Sequence, residues 1–368
     1  MSSLSPLSIA EDLETFLRMA VAQNISDVHL RCGYPPMLRK DGEMISTKLP
    51  PMDEDSMTAF AQRIIPPKVM DRVMSRRDFD FGYDLEDVAR FRVNFFFELN
   101  RPGLVLRVIP LKIPKIEEIG LPSIITRFTE HHKGLVLLTG PTGAGKSTTL
   151  AALLNHINES TARHIITIED PVEYVYHNMR SVITQREIGV DTDSFPSGLK
   201  YALRQDPDVI LIGEMRDRET ISSALHAAET GHLVFSTLHT TDAVQTINRI
   251  INIYEPHERE PVRHQLADVL IGTISQRLVR KKEGRGRVAV AEIMSVSPAV
   301  KDYIKREELG EIYQMLAAGE FDDMCNLNGS LFKATRNELI AQDEALRISD
   351  NPSELHQMFR GAYHGSGG

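Results

Sequence analysis

The sequence predicts an α/β protein in which a small α+β domain precedes a larger domain built on a parallel sheet. Two patterns indicate this. From about residue 123 onward, short and continuously apolar segments alternate with helical ones, which is typical of a parallel sheet buried on both faces. Before residue 110, the stretch "ARFRVNFFFELNRPGLVLRVIP" alternates apolar and polar residues, as antiparallel strands with one apolar face do. We therefore expect domains at 1–109 and 123–368.

A proline-rich segment separates these domains. Pro110, Pro114 and Pro122 fall within residues 110–122. Proline fixes its own φ angle and restricts the residue before it, so this linker should be stiff. We expect any hinge between the domains to lie here.

The N-terminal domain should begin with a helix, because Ser8 and Glu11 form a capping box before an apolar-periodic run that extends to about Gln23. Two short strands should follow around a Lys40-Asp41-Gly42 turn, and then a helical region near 54–75. In the alternating stretch, Phe91, Val93 and Phe95 share one face, and the other face carries Arg90, Arg92 and Asn94, with Arg107 on the returning strand.

The C-terminal domain should contain strands at 134–140, 164–169, 208–213 and 232–238. Helices are predicted at 146–158, 194–204, 218–229, 241–252 and 257–275. The stretch "RLVRKKEGRGRVAVAEIM" predicts a hairpin, and the residues from about 277 to 368 should otherwise be mostly helical.

Composition excludes several classes of protein. The chain has 368 residues, of which 42% are hydrophobic and 25% charged, as in ordinary globular proteins. A net charge of −9 argues against nucleic acid as the main partner. Two cysteines without a CxxC pair favour a reducing compartment and give no metal site. No apolar run approaches the ~20 residues that span a bilayer, so we expect a cytoplasmic protein without membrane insertion.

The strongest motif is "GPTGAGKST", which follows an apolar strand and opens a helix, the context in which it binds phosphate. Its glycines let backbone N–H groups point inward, Lys146 can reach the β- and γ-phosphates, and the Ser147 hydroxyl can bind Mg²⁺. No guanine-specific N-K-x-D element occurs, so we expect ATP with Mg²⁺. The predicted nucleotide-binding residues are Gly140, Pro141, Thr142, Gly143, Ala144, Gly145, Lys146, Ser147 and Thr148.

Two predicted strands end in carboxylates, in "IITIEDPVEY" and "ILIGEMRD". Ligands of parallel sheets bind beyond these strand ends. We predict that Glu214 orients the attacking water and that Glu169 serves the metal side, so that Ser147, Glu169 and Glu214 surround Mg²⁺. The alternatives are a helix-entry acid for Glu214, a turn residue for Asp170 and a surface charge for Glu173.

Histidines bracket the strand in "ETGHLVFSTLHTTDA". His239 follows the strand and could sense the γ-phosphate, with Thr237, Thr240 and Thr241 forming a polar patch around it. A structural role is the alternative for His239. His232 precedes the strand, where a packing or capping role is the better interpretation.

These segments together resemble the secretion-type ATPases of type IV pili and type II secretion. "GPTGAGKSTTLAALL" resembles their Walker A region, "HIITIEDPVEYV" their Asp box, "LRQDPDVILIGEMRDRET" their Walker B region and "TGHLVFSTLHTTDA" their His box. The stretches "SDVHL" and "RFRVNFF" also match, so the resemblance covers almost the whole chain.

Within that family the chain resembles the PilT/PilU group of retraction ATPases, and its tail "DEALRISDNPSELHQMF" is nearer to PilU. One stretch departs from the group. PilT-type proteins carry a motif close to A-I-R-N-L-I-R-E, whereas residues 299–306 read "AVKDYIKR".

The resemblance implies a homo-hexameric ring with ATP between subunits, in which a PAS-like N-terminal domain moves against a RecA-like ATPase domain. It implies that Glu214 is the catalytic glutamate and that Glu169 lies near the metal. It also implies that N-terminal arginines reach the phosphates, for which Arg92 and Arg107 are the candidates. A solvated sheet face is the alternative for both arginines.

The function implied is a motor for type IV pilus retraction and twitching motility, acting at a platform protein of the inner membrane. Two alternatives stay open: an accessory, nucleotide-gated ring subunit that supports a paralogous retraction ATPase, or a type II/IV secretion ATPase. The "AVKDYIKR" stretch and the tail motivate the accessory role. A nucleic-acid motor is disfavoured by the net charge of −9.

Overall fold

A computed structural model of the chain describes residues 13–40, 42–71, 73, 78–109, 111–318 and 324–361. The chain forms two compact units. One comprises Met1–Ile113, Glu169–Tyr176 and Gln185–Ser194, and the other comprises Pro114–Ile168, His177–Thr184 and Phe195–Gly368. The sequence-based boundaries treat each domain as continuous and do not include the two later segments of the N-terminal unit.

The N-terminal unit is built on an antiparallel sheet. Its strands are β1 (Asp27–Arg31), β2 (Met37–Lys40), β3 (Glu43–Ser46), β4 (Asp78–Leu85), β5 (Ala89–Glu98) and β6 (Arg101–Ile109). They are arranged in the order β3-β2-β1-β6-β5-β4. The unit also contains helices α1 (Leu13–Ala22) and α2 (Glu54–Ile64) and a 3₁₀ turn at Pro67–Val69.

The core of this unit follows from the alternation in β5. Phe91, Val93 and Phe95 are fully buried, as the sequence predicts. Phe16 and Leu17 of α1 join the same apolar cluster. Because side chains alternate between the faces of a strand, one face of the sheet carries the core.

Two details of the N-terminal prediction change. The predicted helical region near 54–75 is interrupted rather than continuous. Helix α2 ends at Ile64, because Ile65 is extended before Pro66, as the residue preceding a proline prefers, and helical turns resume at Pro67. Three short strands, not two, precede α2. The predicted capping box at Ser8 and Glu11 and the turn residue Asp41 lie outside the described residues.

The face of the sheet that carries Arg90 is covered locally by the later segments of the same unit. Arg90 donates to the carbonyl oxygen of Val172 at 2.8 Å and to Glu187 at 3.0 Å, and both charged side chains are buried. The Glu187 carboxylate also accepts the backbone N–H groups of Gly82 and Val172. A buried ion pair is tolerated only with such additional hydrogen bonds.

The C-terminal unit confirms the α/β prediction. Its strands are β7 (Gly134–Thr139), β8 (His164–Glu169), β9 (Val182–Glu187), β10 (Val209–Ile212), β11 (Leu233–Leu238), β12 (Leu270–Arg280) and β13 (Arg287–Ser295). The seven-stranded sheet has the order β13-β12-β7-β11-β10-β8-β9, and the division into units falls within β9. Strands β12, β7, β11, β10 and β8 are parallel, while β13 is antiparallel to β12.

The C-terminal unit also contains the remaining helices. They are α3 (Ile116–Ile119), α4 (Lys146–Ser160), α5 (Phe195–Ala202), α6 (Arg218–Glu229), α7 (Ala243–Asn252), α8 (Arg259–Val269), α9 (Pro298–Arg306), α10 (Leu309–Ala318), α11 (Leu327–Arg336), α12 (Gln342–Ile348) and α13 (Pro352–Phe359), with 3₁₀ turns at Ser123–Thr129 and Pro256–Glu258. Residues of α11, α12 and α13 pack with Val279 of β12 and Val290 of β13 in a separate apolar cluster.

The predicted helix over 257–275 is wrong from Leu270 onward, because α8 ends at Val269 and β12 begins at Leu270. Strand β12 is an interior strand between β13 and β7. At Gly272 a side chain would meet the Met294 carbonyl oxygen at 2.6 Å and the Phe128 ring at 2.6 Å. Sheet packing, rather than local helix propensity, therefore decides this segment. The sequence pattern also missed β9.

Candidate nucleotide-binding site

The glycine-rich loop of the C-terminal unit lies between β7 and α4, the context that its sequence predicts. Strand β7 is buried along its whole length and ends at Thr139. Gly145 adopts φ 88°, a left-handed conformation that glycine reaches without strain, and α4 begins at Lys146. The N-terminus of a helix carries a partial positive charge, so this end of α4 favours a phosphate.

Lys146 is buried at the start of α4. Its Nζ atom donates hydrogen bonds to the carbonyl oxygens of Gly140 at 2.6 Å and Pro141 at 3.1 Å. The ammonium group is thereby held over the loop, where the phosphates of a nucleotide would compete for its protons. The neighbouring Ser147 is exposed.

Glu214 lies just past the carboxyl end of β10. The backbone on both sides is fixed, because Gly213 N–H donates to the Ile168 carbonyl at 2.8 Å and Met215 N–H to the Thr237 carbonyl at 3.1 Å. The Glu214 carboxylate is only 18% exposed. A strand of four buried residues thus places one carboxylate at the edge of the sheet where ligands of parallel sheets bind.

Two basic groups contact the Glu214 carboxylate. Arg216 Nη2 lies 2.7 Å from Oε2, and His239 Nε2 lies 2.8 Å from Oε1. Partial burial raises the pKa of Glu214, but the Arg216 hydrogen bond and the charges of His239, Arg216 and Lys146 outweigh it and hold the pKa below its usual range. Glu214 is therefore an ionised hydrogen-bond acceptor at neutral pH.

His239 follows the buried strand β11 directly. The hydroxyl of Thr237 donates to the Gly213 carbonyl at 2.7 Å, which joins the ends of β10 and β11. Asp242 then caps helix α7 by accepting the Gln245 N–H at 2.7 Å. Thr237 of the predicted polar patch and Asp242, which was not part of that prediction, thus fix the chain on both sides of the imidazole.

Glu169 is the last residue of β8 and belongs to the N-terminal unit. Its carboxylate accepts the Glu173 N–H at 3.4 Å and the Gln185 side-chain amide at 3.5 Å. Glu173 in turn lies 3.7 Å from Arg92. Within this unit the structure therefore groups one predicted metal-side carboxylate, one predicted arginine and Glu173, which the sequence left as a candidate surface charge.

The two predicted arginines are direct cross-strand neighbours on β5 and β6. Arg107 donates to the buried Asp27 at 2.8 Å, and Arg92 lies 3.9 Å from Asp80. Like charges placed opposite each other on a sheet repel, and these acidic neighbours offset that repulsion. Arg107 keeps 64% of its side chain exposed and Arg92 keeps 37%, so both remain accessible to an anion.

Among the residues that the structure describes, no group of three or more His, Cys, Asp or Glu side chains could hold a metal ion. Mg²⁺ carried by ATP needs few protein ligands, because phosphate oxygens and waters fill most of its coordination positions. The exposed Ser147 hydroxyl at the start of α4 suits that kind of site.

Sequence reasoning missed two residues of this site. Arg216 falls inside the quoted Walker B stretch, where its position two residues after Glu214 was the available signal. Gln276 lies on β12 and hydrogen-bonds the glycine-rich loop from 132 positions away. No local pattern indicates such a contact, since that segment also matches a helix.

Over the described part of the chain, no helix is both long and apolar enough to cross a membrane. The profile described as "Type II/IV secretion system protein" matches residues 5–332.

Two curated relatives and one solved structure are similar along nearly the whole chain. The type IV pilus retraction ATPase PilT of Pseudomonas aeruginosa is 42% identical over 350 residues, covering 94% of this chain and 100% of that protein. The type IV pilus ATPase PilU of the same bacterium is 34% identical over 349 residues, covering 95% and 91%. The crystal structure of the pilus retraction motor PilT with bound ADP has a TM-score of 0.87 at 39% identity, covering 97% of this chain and 100% of that one.

Proposed function

The chain belongs to the type II/IV secretion system protein family and is an ATPase, and we propose that it is the motor that powers type IV pilus retraction. The observation that carries the catalytic part is the Glu214 carboxylate, held ionised by Arg216 and His239 in the same unit as the phosphate loop. A partly buried carboxylate that two basic side chains hold ionised, at the sheet edge where ligands bind, supports a working site over a vestigial one.

Binding of ATP begins at the loop between β7 and α4. The phosphates would accept hydrogen bonds from the loop backbone and from Lys146, which would exchange its contacts with the Gly140 and Pro141 carbonyls for charged oxygens. The residues that we assign to this cradle remain Gly140 through Thr148. The positive end of α4 adds to the attraction.

Hydrolysis requires a water aligned with the terminal phosphate. We assign this to Glu214, whose carboxylate accepts the proton of the water as it attacks, while ADP leaves. His239 touches the same carboxylate and is placed to report on the charge there. Mg²⁺ would neutralise phosphate charge, and Ser147 is its proposed protein ligand, with Glu169 and Glu214 on the metal side.

A motor must connect hydrolysis to movement. We assign Arg92 and Arg107 to the phosphates of a neighbouring subunit in a homo-hexameric ring. Their opposed positions on β5 and β6 would give two cations to one phosphate group. An arginine that arrives only when subunits close stabilises the charge of the transition state and ties turnover to that closure. The linker over 110–122 is the proposed hinge.

The accessory role, in which the chain would support a paralogous ATPase, is not favoured. Identity to PilT is 42%, against 34% to PilU. The altered stretch at 299–306 still forms an amphipathic helix, α9, that buries Val300 and Ile304. Two ion pairs lie on its outer side: Asp302 is 2.8 Å from Arg306, and Lys305 is 2.6 Å from Asp268.

The site of action would be the cytoplasmic side of the inner membrane, at the base of the pilus machine. The proposed partner there is the platform protein of the pilus, contacted without insertion of this chain into the bilayer. Association with a paralogous retraction ATPase is a further proposed contact.

The test is turnover together with retraction. The purified full-length chain should hydrolyse ATP in a Mg²⁺-dependent manner, and a cell lacking this chain should make pili that fail to retract. Restoration of twitching by the wild-type chain but not by Glu214→Gln would support the motor. Normal retraction in the deletion strain would contradict the motor assignment. Full rescue by Glu214→Gln would show that retraction does not depend on ATP hydrolysis at this site.

A further inference from the structure

A single buried amide connects the interior strand β12 to the phosphate loop. Gln276 is 1% exposed and lies on β12, which runs parallel to β7 in the sheet. Its Nε2 donates to the Ala144 carbonyl of the loop at 2.8 Å. Its Oε1 accepts from the hydroxyl of Thr149, in the first turn of α4, at 2.8 Å.

Chemistry settles the orientation of this amide. A carbonyl oxygen only accepts hydrogen bonds, so the NH₂ end of Gln276 must face Ala144. The oxygen end then faces Thr149, whose hydroxyl supplies the proton. One end of this side chain is satisfied by the phosphate loop and the other by the first turn of α4, and a buried polar group left without such partners would be costly.

The same residue leaves no room for side chains at two glycines of the loop. A side chain at Gly140 would come within 2.3 Å of the Gln276 carbonyl oxygen. At Gly145 it would come within 2.8 Å of the side-chain Nε2 of Gln276. The first and last glycines of the motif thus pack directly on Gln276.

The strand that carries Gln276 is itself held on its other side. Arg277, the next residue, donates to the Ile348 carbonyl at 2.7 Å and contacts Asp350 at 2.6 Å. Ser275, the preceding residue, accepts a hydrogen bond from Thr139 at the end of β7 at 2.9 Å. Gln276 therefore projects from a fixed support.

We propose that Gln276 is a positioning residue that holds the phosphate loop in its nucleotide-binding conformation, acting through the Ala144 carbonyl and the Thr149 hydroxyl. This inference deepens the ATPase assignment and rests on it. Gln276 touches no reacting atom. It keeps the N–H groups of the loop aimed inward before a phosphate arrives, so that less of the binding energy is spent on ordering the loop.

The test uses the full-length chain, with ADP as the probe and calorimetry as the measurement. Gln276→Met keeps the length of the side chain but removes both hydrogen bonds. We expect ADP to bind about tenfold more weakly and KM for ATP to rise in step, with a smaller change in kcat. The matched control is Gln265→Met, which makes the same change on α8, where the exposed amide donates to Glu229. It should leave ADP affinity unchanged.

A second pair of variants addresses the same connection from the other end. Thr149→Ser keeps the hydroxyl, whereas Thr149→Val removes it and preserves the shape. We expect Thr149→Val to weaken ADP binding and Thr149→Ser to match the wild type. Because both residues act through one amide, the losses of Gln276→Met and Thr149→Val should not add in the double variant.

A folded Gln276→Met protein that binds ADP within about twofold of the wild type would overturn the proposal, whatever its melting temperature. If that variant does not fold, equal ADP affinity of Thr149→Val and Thr149→Ser would overturn it instead. Failure of the wild-type chain to bind ADP or turn over ATP would count against the proposed function, so the two failures are separable.

Discussion

The Nε2 atom of His239 lies 2.8 Å from the Oε1 atom of Glu214, so the carboxyl ends of β11 and β10 are joined by a direct side-chain contact. Lys146 adds its positive charge to the same carboxylate. The acidic residue predicted to activate water is thus connected both to the phosphate loop and to the segment leading into α7. Changes at either place should be felt at Glu214.

Glu214→Gln should separate binding from hydrolysis. The amide keeps the shape of the side chain but accepts a proton poorly, so we expect ADP affinity to stay within about threefold and kcat to fall at least 100-fold. Phosphate release measures the loss. Glu219→Gln, which makes the same change on the exposed first turn of α6, is the control and should retain full turnover. Comparable rates for the two variants would remove Glu214 from the mechanism.

His239→Asn should lower kcat while leaving ADP affinity nearly unchanged, because the imidazole contacts the carboxylate rather than the loop. We expect a loss of about tenfold, smaller than that of Glu214→Gln. In a double variant with Glu214→Gln the further loss should vanish, because His239 would act through that residue. Additive losses would show that His239 acts on the nucleotide independently.

Arg92→Ala and Arg107→Ala should both reduce turnover of the assembled ring by about 10³-fold if they reach phosphate. They should differ in stability. Arg107 pairs with the buried Asp27 at 2.8 Å, whereas Arg92 lies 3.9 Å from Asp80 and 3.7 Å from Glu173. We expect Arg107→Ala to lose about 1–2 kcal/mol of stability and Arg92→Ala to lose almost none. Arg101→Ala, at the exposed start of β6 in the same sheet, controls for the loss of charge. Normal turnover in both variants would contradict the assignment.

Glu292 should make the stability of the protein depend on pH near neutrality. Burial in β13 raises its pKa to about 7, and Asp242 and Asp350 add to the rise, while the Ala243 N–H and Arg277 oppose it. Cys325 and Tyr313 also lie near this carboxyl. The folded state binds the proton more tightly than the unfolded state, so the free energy of unfolding decreases as pH rises from about 4.5 through 7.

Glu292→Gln removes this dependence, and thermal melts of the free protein at pH 5.5 and pH 8 would measure it. We expect the wild type to lose about 2 kcal/mol more than the variant between these conditions. Glu283→Gln, at the exposed tip of the β12–β13 hairpin, should behave like the wild type. Parallel pH profiles for wild type and Glu292→Gln would contradict the prediction.

The fold could be predicted where local pattern and burial agree. The continuous apolar runs of β7, β8, β10 and β11 mark strands buried on both faces, and the alternation of β5 marks a one-sided sheet. Strand β12 could not be recognised in this way. Its residues fit a helix as well, and only its neighbours β7 and β13 decide its conformation.

The residues of the site also fall into those that a local sequence pattern predicts and those that depend on distant neighbours. Lys146 and Glu214 stand in short motifs whose residue types are dictated by phosphate and water. Glu187 and Gln276 hold their places through partners that are distant in sequence, Arg90 and Ala144. A hydrogen bond between segments that are distant in sequence produces no local sequence pattern. Such residues are therefore recognised only in the folded structure.

Gly140 packs so closely on the Gln276 carbonyl that no side chain fits there. The presence of this glycine in a related sequence therefore does not by itself indicate nucleotide binding. The packing of β12 requires that glycine, so a chain that had lost all affinity for nucleotides would still retain it. Packing does not require Lys146 in the same way, because burying an ammonium group costs free energy. In a descendant that loses nucleotide binding, we expect the lysine to be replaced before this glycine. A glycine that survives at that position indicates how β12 packs and not that the chain binds phosphate.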